Sequence, residues 1–355
     1  MKKYFYITII FTTFILYSCN DGSVGLFYQI EEEETLADSI FGNPASIEDM
    51  LEYTDGTANR AFFVSSGTRL YRKTTNGNWI KDTPSDKYPM GGPLASYNND
   101  IYVIAKNKDA QTQLLKKSNI TGTWTAIVDY KSLLGSGEYL SHMYEMSNGI
   151  YFVSYNPNNT NDQNNTVIYY NGSSFTPVTF SGNTPANILG FFYDTTNYYI
   201  VTKNGYVSST VATSFDTSTS FKEFGYTIND VSQSTFDGSF LVAGGDKGIV
   251  SFYNNGNDTW TKQVINTGYD YNRPYVYNNY LLLPSDKGYM LISGVINSFK
   301  SYYPDDEILG DYNSYLTADL DDTESRFFAE FNGTLYLGAY NLGLWHIKSG
   351  NWNQD

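Results

Sequence analysis

Short apolar runs separated by turn residues follow one another along most of the chain. The segments YLLLP (280–284) and GFFYD (190–194) are apolar without strict alternation, as expected of strands that are buried on both faces. Small-residue turns such as NG and SG separate the runs, and such turns join antiparallel strands into hairpins. The pattern predicts many short antiparallel strands.

An aromatic residue that follows a small-residue turn recurs seven times along the chain. These residues are Trp79, Trp124, Phe175, Phe221, Trp260, Phe299 and Trp352. Their spacings are 45, 51, 46, 39, 39 and 53 residues, with a mean near 45. This period matches the four-stranded blade of a β-propeller and is longer than that of the shorter helical repeats. We expect each ring to be a structural residue that packs between adjacent blades.

The last repeat shows the predicted strands most clearly, at 327–331, 335–339, 344–348 and 351–353. The fifth repeat has counterparts at 231–236, 240–243, 249–253 and 259–263, and the first at 48–53, 61–64 and 69–73. Dividing residues 47–355 by seven gives about 44 residues per repeat. We therefore predict an all-β, seven-bladed propeller of four-stranded antiparallel blades. Its repeats lie at about 47–90, 91–135, 136–183, 184–228, 229–268, 269–312 and 313–355.

Composition agrees with this fold and narrows the chemistry. Aromatic residues make up 17% of the chain, beside 30 glycines, a mixture of strand and turn formers. A formal net charge of -15 leaves no basic surface for nucleic acid or anionic lipid headgroups. One cysteine and two histidines are too few for a Cys/His zinc site or a disulfide framework. We predict no metal and no cofactor, and interpret His142 and His346 as packing residues.

Two acidic segments, DLDDTE (319–324) and PDDE (304–307), offer oxygen ligands for calcium. Neither has the D-x-D-x-D-G arrangement of a calcium loop. We interpret both as solvated acidic loops.

The N-terminus begins with Lys2 and Lys3, followed by an apolar run from 4 to 17. The run is shorter than the ~20 residues that span a bilayer, so it predicts a cleaved signal peptide. It ends in LYSC (16–19), which resembles the lipobox of bacterial lipoproteins, although Tyr17 is bulkier than usual for its position.

The lipobox resemblance implies cleavage after residue 18 and lipidation of Cys19, with an ordinary signal peptide as the alternative. Residues 19–46 would form a tether with an acidic stretch at 31–34 and a possible extra strand at 25–30. The protein would then lie in the bacterial cell envelope, facing the periplasm or the cell surface. Only the lipid anchor would contact the membrane.

Two of the aromatic turns, SNITGTWT (118–125) and YNNGNDTWT (253–261), resemble degenerate forms of the Asp-box turn, S-x-D-x-G-x-T-W, of sialidase-type propellers. Both lack the aspartate that names the motif. The motif specifies a turn and no chemistry, so the resemblance implies the propeller fold and transfers no catalytic residue.

The five arginines of the chain do not complete a catalytic set of the sialidase type. Arg69 and Arg72 fall on a predicted outer strand, which leaves Arg60, Arg273 and Arg326 as possible channel residues. We predict no catalytic residue and no enzyme activity. A glycosidase that uses two carboxylates about 5–9 Å apart stays open as an alternative.

The predicted loops differ between the two faces of the disc. The turns from the first to the second strand of a blade, and from the third to the fourth, are short. The other connections are longer and uneven, and we call the face where they emerge the long-loop face. Loops on a rigid scaffold, rich in tyrosine, are typical of binding sites.

We predict that the long-loop face binds an envelope or host protein, or a glycan, and that the protein is a monomer. The candidate ligand-binding residues are Tyr269, Tyr271, Arg273, Tyr302, Tyr303, Asp305 and Asp306. An envelope-assembly scaffold that accepts an added strand and a glycan-active enzyme are the alternatives.

Overall fold

The computed structural model describes residues 41, 46–158, 165–234, 239–246, 248–254, 260–266, 270–278, 280–286, 288–293, 300–302, 324–348 and 351–355. These residues form seven four-stranded antiparallel sheets, and each sheet is one blade. The predicted seven-bladed propeller is therefore confirmed. The predicted signal peptide, Cys19 and the segment 25–30 lie outside the described residues.

The first three blades take their strands in direct succession. Blade 1 contains β1 (Ile47–Thr54), β2 (Arg60–Ser66), β3 (Arg69–Thr74) and β4 (Ile80–Lys81). Blade 2 contains β5 (Leu94–Tyr97), β6 (Asp100–Lys106), β7 (Thr112–Lys117) and β8 (Thr125–Ala126), followed by a 3₁₀ helix (Asp129–Leu133). Blade 3 contains β9 (Tyr139–Met146), β10 (Gly149–Tyr155), β11 (Val167–Tyr170) and β12 (Phe175–Pro177).

Blade 4 is interrupted by a small additional sheet. A short strand, β13 (Thr179–Phe180), precedes the blade strands β14 (Ile188–Tyr193), β15 (Tyr198–Thr202) and β16 (Gly205–Ser209). The next strand, β17 (Ser214–Phe215), pairs in parallel with β13 instead of joining the blade. The outer strand of the blade is β18 (Lys222–Glu223).

The last three blades complete the ring. Blade 5 contains β19 (Ile228–Gln233), β20 (Leu241–Gly245), β21 (Gly248–Asn254) and β22 (Trp260–Asn266). Blade 6 contains β23 (Tyr275–Tyr277), β24 (Tyr280–Pro284), β25 (Tyr289–Ser293) and β26 (Lys300–Tyr302). Blade 7 contains β27 (Ser325–Phe331), β28 (Thr334–Ala339), β29 (Gly343–Lys348) and β30 (Asn351–Gln354).

The second strand of a blade is buried on both faces. In β24, for example, Leu281, Leu282 and Leu283 have no exposed surface. One face packs on each neighbouring blade, which is why the strand is apolar without alternation.

The recurring aromatic residues pack mainly into clusters shared by two neighbouring blades. Trp79, Trp124, Phe175, Trp260 and Trp352 all contact such clusters. Trp260, for example, stacks on Tyr206 of blade 4 at a centroid distance of 3.9 Å. Phe299 lies outside the described residues.

Phe221 of blade 4 differs from the expected packing, because 38% of its surface is exposed. Phe224, three residues later, is buried instead and packs 4.5 Å from the ring of Phe252 in blade 5. The segment that carries β17 lies between β16 and the outer strand β18, and it pairs with β13 outside the blade.

Side-chain packing between blades 1 and 7 closes the ring. Phe62 stacks on Phe331 with centroids 5.6 Å apart and planes at 13°. A Cβ at Gly338 would come within 2.8 Å of Ile47, so the backbones of the two blades approach closely here. Within the described residues, the four strands of each blade come from one continuous stretch of chain.

A tryptophan–aspartate hydrogen bond ties each of two blades to the blade before it. Trp124 Nε1 of blade 2 donates to Asp82 Oδ1 of blade 1 at 2.9 Å. Trp79 Nε1 of blade 1 donates to Asp355 Oδ1 of blade 7 at 2.8 Å. Both aspartates directly follow the outer strand of the preceding blade. The same hydrogen bond therefore joins blades 1 and 2 and joins blades 7 and 1, where the ring closes.

A lysine completes each of these contacts. Lys117 Nζ lies 2.6 Å from Asp82 Oδ2, with 2% of the lysine side chain exposed, and 5.2 Å above the Trp124 ring. Lys73 occupies the same place over Trp79, also at 5.2 Å, and lies 4.0 Å from Asp355. Burial lowers the pKa of Lys117, and the charge of Asp82 opposes that shift.

We expect Asp82→Ala to be strongly destabilising, because it leaves the buried Lys117 ammonium without its counter-ion. Removing one partner of a buried pair costs about 3–5 kcal/mol. Asp355→Ala removes a weaker set of contacts and should cost about 1–3 kcal/mol. Urea unfolding of the purified protein would measure both, with the exposed Asp86→Ala as the control. An Asp82→Ala protein as stable as Asp86→Ala would contradict this account.

Candidate functional site

The inner strands of the blades surround a central cavity of about 690 Å³. Residues of β1, β5, β9, β14 and β19 line it, together with Arg273, Arg326 and Phe327 from blades 6 and 7. Such a cavity is large enough for a small ligand.

A β-bulge recurs near the start of the inner strand in five blades. The extra residues are Glu48, Ser141, Leu189, Asn229 and Arg326. A bulge places two successive residues opposite one on the partner strand and re-aims their side chains. In every case the bulged residue and the residue after it both line the cavity.

The bulges have a sequence signature that the sequence analysis missed. The segments IEDM (47–50) and INDV (228–231) each begin with an isoleucine that is fully buried. Two polar residues follow and line the cavity. LSHM (140–143) has the same order around a buried leucine.

The carboxylates of the cavity are engaged by neighbouring backbone or cationic groups. Asp49 accepts the N–H of Met50 at 2.9 Å through Oδ1 and the N–H of Leu94, in blade 2, at 2.8 Å through Oδ2. Glu145 of blade 3 accepts the N–H of Ser96 at 2.7 Å.

Asp230 and Glu48 are also engaged, by a backbone N–H group and by cationic side chains. Asp230 Oδ1 accepts the N–H of Val231 at 2.7 Å, and its Oδ2 lies 3.2 Å from Arg273 Nε. Glu48 Oε2 accepts a hydrogen bond from Lys106 Nζ at 2.7 Å. Several of these bonds join neighbouring blades, so the carboxylates stabilise the ring.

Burial raises the pKa of Asp49 to about 6, although the nearby charge of Arg273 opposes the shift. Burial also raises the pKa of Glu145 and of Tyr144, whose hydroxyl donates to Ile188 O at 2.9 Å. The charge of Asp230 raises the pKa of Arg273. The cavity therefore couples Asp49, Arg273 and Asp230 electrostatically.

Two of the three arginines predicted as possible channel residues do reach the cavity. Arg273 Cζ lies 5.3 Å above the Phe327 ring, with 41% of its side chain exposed. Arg326 Nε lies 3.1 Å from Glu324, and its Cζ lies 4.4 Å above the Tyr340 ring. Arg60 instead pairs with Glu52 and does not line the cavity.

A second cavity, of about 710 Å³, is lined by residues of blades 2, 3 and 4 and by Asn229 of blade 5. It lies on the long-loop face, because its lining includes the end of β10, Lys203 directly after β15 and the segment that leads into β14. It shares Lys106, Ser141, His142, Ile188, Leu189 and Asn229 with the central cavity. We call this second cavity the mouth cavity.

The mouth cavity is lined by apolar residues, by Lys106 and Lys203, and by neutral polar groups. The neutral polar groups include Thr112, Ser154, Tyr155, Asn165, Thr184 and Asn187. The ring of Tyr155 lies 6.0 Å from that of Tyr139, and its hydroxyl donates to Ala110 O at 2.9 Å. Sequence reasoning did not single out these residues, because they are common polar types spread over three repeats.

Of the predicted ligand-binding residues, Arg273 lines the central cavity. Tyr271 differs from expectation: it is 1% exposed, and its hydroxyl donates to Met290 Sδ at 3.4 Å. Its ring is held inside the propeller and is not available to a partner at the surface. Tyr269, Tyr303, Asp305, Asp306 and the side chain of Tyr302 lie outside the described residues.

The two histidines occupy different environments. His142 was expected to be a packing residue, but it is exposed in the cavities because the bulge at Ser141 turns it inward to the channel. His346 Nδ1 lies 2.8 Å from Asp355 Oδ2 on the outer part of blade 7.

Within the residues that the structure describes, no three His, Cys, Asp or Glu side chains are grouped to hold a metal ion. A search of the same residues finds no helix with the length and hydrophobicity needed to cross a membrane.

No family model and no curated protein matches the sequence. Solved structures do resemble it. YCF48 from Cyanidioschyzon merolae has a TM-score of 0.59 at 9% identity, over 87% of this chain and 97% of that one. A catalytically inactive virginiamycin B lyase from Staphylococcus aureus has a TM-score of 0.56 at 9% identity, over 86% of this chain and 96% of that one.

The WD40 propeller domain of Doa1 is also similar, with a TM-score of 0.54 at 9% identity over 90% of this chain and 96% of that one. At such low identity these similarities show the propeller fold alone.

We expect Asp49→Asn to reduce the pH dependence of stability in mild acid. The folded protein holds the Asp49 proton up to about pH 6, whereas the ordinary pKa is 3.8. The folded state therefore binds more protons in that window, and stability falls as pH rises through it.

Urea unfolding between about pH 4 and about pH 7 tests this linkage. Asparagine keeps one acceptor oxygen where Asp49 has two, so the variant loses one of the two backbone hydrogen bonds at every pH. The slope of stability against pH is therefore the readout. Glu48→Gln controls for the loss of one negative charge at the same strand. An unchanged slope in Asp49→Asn would refute the assignment.

Proposed function

We propose that this protein is a lipid-anchored binding protein of the bacterial envelope, and that the mouth cavity on the long-loop face binds a glycan. The observation that carries the proposal is the mouth cavity itself, which joins the central cavity through shared residues. Its volume of about 710 Å³ suits a short saccharide segment.

The lining chemistry supports a ligand rich in hydroxyl groups. Asn165, Asn187 and Asn229 each carry both a donor and an acceptor, and Thr112 and Thr184 carry hydroxyls. Tyr155 adds an aromatic ring at the same place, and an aromatic ring combines apolar contact area with a polar group. Side chains that donate and accept hydrogen bonds, beside an aromatic ring, favour sugars over strongly apolar ligands.

The cavity carboxylates favour binding over catalysis. A glycosidase needs one carboxyl group to donate a proton and a second to act as base or nucleophile. In the described part of the channel, Asp49 and Glu145 accept backbone N–H groups of blade 2. Asp230 is paired with Arg273. These groups hold the ring together and are already engaged.

We expect Tyr155→Ala and Asn229→Ala to weaken glycan binding. The lost ring should reduce affinity at least about fivefold. Asn229 makes no side-chain hydrogen bond to a described residue, so its replacement should leave stability unchanged. Glycan-array screening followed by calorimetry of the best ligand would measure this. The same sample should be checked for glycoside turnover.

The control variant is Tyr97→Ala, whose ring lies at the end of β5 on the opposite face. Binding that survives Tyr155→Ala but is lost in Tyr97→Ala would show that the site lies on the other face of the disc. Turnover of a glycoside would contradict the binding role.

The anchor part of the proposal rests on the lipobox-like segment LYSC (16–19). We expect Cys19→Ala to shift the protein from the membrane fraction to the soluble fraction, because acyl chains supply the membrane affinity. Proteolysis of intact cells then separates a surface protein, which is cut, from a periplasmic one, which is protected. A Cys19→Ala protein that stays in the membrane fraction would rule out lipidation as the anchor.

A second candidate function, an assembly scaffold, is favoured by one observation. The outer strand of blade 5, β22, has seven residues, whereas the other outer blade strands have two to four. The open edge of an outer strand can pair with an added strand. Photo-cross-linking from Thr261 in β22, compared with Asn353 in β30, would capture envelope proteins only at β22 if this role holds.

A further inference from the structure

The recurring aromatic residue of blade 4, Phe221, does not fill the core position that its counterparts fill. Its ring is 38% exposed, and Phe224 packs on Phe252 of blade 5 instead, at 4.5 Å. A Cβ at Gly205 would lie 2.8 Å from the Phe221 ring, so the glycine lets the ring lie against the backbone of β16. The ring is therefore held against the blade while part of it faces solvent.

Phe221 lines a third cavity, of about 510 Å³, beside the outer strand of blade 4. Its lining combines residues 182–187, which lead from β13 to β14, with the turn between β15 and β16 and the segment from β17 to β18. The turn contains Asn204 and belongs to the long-loop face, so this cavity and the mouth cavity lie on the same face. We call the third cavity the side cavity.

The additional sheet of blade 4 fixes the lining of the side cavity. β13 pairs with β17. Beyond this pair, Thr217 Oγ1 accepts the N–H of Gly182 at 3.2 Å and donates to Asn183 O at 3.0 Å. These bonds join the segment that leads into β14 to the segment that leads into β18. A lining that is already held in place loses little conformational freedom when a ligand binds.

The side cavity borders the mouth cavity. The two cavities share Thr184, Pro185 and Asn187, so an elongated ligand can contact both. Each cavity also has an aromatic ring of its own, Tyr155 in the mouth cavity and Phe221 in the side cavity. The arrangement fits a chain of similar units better than a single compact molecule.

The side cavity carries polar groups that the described part of the protein does not use. The side chains of Thr184, Asn187 and Asn204 form no hydrogen bond to a described residue. Among the described residues of the lining, only Glu223 is charged, and its carboxylate would repel an acidic ligand. Amide and hydroxyl groups beside an exposed aromatic ring complement a neutral sugar, which has hydroxyl groups at its edge and C–H groups on its faces.

Resting on the glycan-binding role proposed above, we propose that the side cavity is a second sugar-binding site for the same ligand, and that this ligand is a neutral oligosaccharide long enough to reach both cavities. Phe221 stacks on the face of one sugar ring, and Asn187 and Asn204 bind its hydroxyl groups. The mouth cavity binds another unit of the chain beside Tyr155.

Calorimetry on the intact protein with chains of two lengths tests the second site. The probes are neutral oligosaccharides of glucose, mannose, galactose and N-acetylglucosamine, each as a disaccharide and as a chain of about six sugars. Binding at one site raises the local concentration of the chain at the other. For the sugar that binds, the longer chain should therefore bind at least about tenfold more tightly than the disaccharide, which the mouth cavity holds alone.

Variants at the side cavity locate the effect. Phe221→Ala should lower the affinity for the longer chain at least about fivefold and leave that for the disaccharide unchanged. Asn204→Ala should act in the same selective way, whereas Phe221→Tyr keeps the ring and should retain binding. The matched control is Tyr340→Ala, which removes a ring of similar exposure, 41%, from the turn between β28 and β29. Because Phe221 and Asn204 are exposed, these variants should fold normally.

The outcomes separate this inference from the proposed function. If Phe221→Ala binds the longer chain as tightly as the unchanged protein, or if both lengths bind equally, the second site is overturned and the glycan-binding role stands. If only charged glycans bind on the array, the neutral ligand is overturned. If no glycan on the array binds, the glycan-binding role fails, and the second site fails with it.

Discussion

Neighbouring blades of this propeller form separate sheets, so contacts outside the sheets must join them. Some are backbone hydrogen bonds, such as that from Ser325 N in blade 7 to Ser285 O in blade 6 at 2.8 Å, and others come from side chains that line the channel. Asp49 joins blades 1 and 2, and Glu145 joins blades 2 and 3, each by accepting a backbone N–H. Tyr144 and Asn272 donate to the backbone of the next blade in the same way, at 2.9 and 2.7 Å. Buried N–H and C=O groups at these strand ends need partners, and the channel residues supply them.

This constraint also shapes the chemistry of the channel. Asp49 and Glu145 hold adjacent blades, whereas Glu48 and Asp230 pair with Lys106 and Arg273. The bulges add polar groups to the channel, because each one turns a second residue of the inner strand toward the cavity. The four carboxylates of the channel outnumber its three cations, in keeping with the formal net charge of -15.

The sequence was informative where one residue acts within its own hairpin. The aromatic residue after each turn set the blade count, since a turn and its ring are local features. The exchange of Phe224 for Phe221 was not predicted, because Phe224 is buried by contacts with the next blade, such as that with Phe252. The bulges were missed as well. Two polar residues after a buried isoleucine, in IEDM (47–50) and INDV (228–231), mark two of them, but the register shift itself appears only when two strands are paired.

The residues of the candidate site also differ in how well the sequence predicted their positions. Arg273 was predicted both as a possible channel residue and as a ligand-binding residue, and it lines the channel. Tyr271, two residues earlier, was predicted to bind a ligand and is buried. A loop residue reads the same in sequence whether it points inward or outward. The mouth cavity was missed because it combines ordinary polar residues from four blades that only the folded ring brings together.

The most direct test is a crystal structure of the protein with the oligosaccharide that binds best in the glycan-array screen. The account predicts sugar units in the mouth cavity, beside Tyr155 and within hydrogen-bond distance of Asn229. A ligand bound at the outer edge of the disc, or on the face that carries Tyr97, would contradict it.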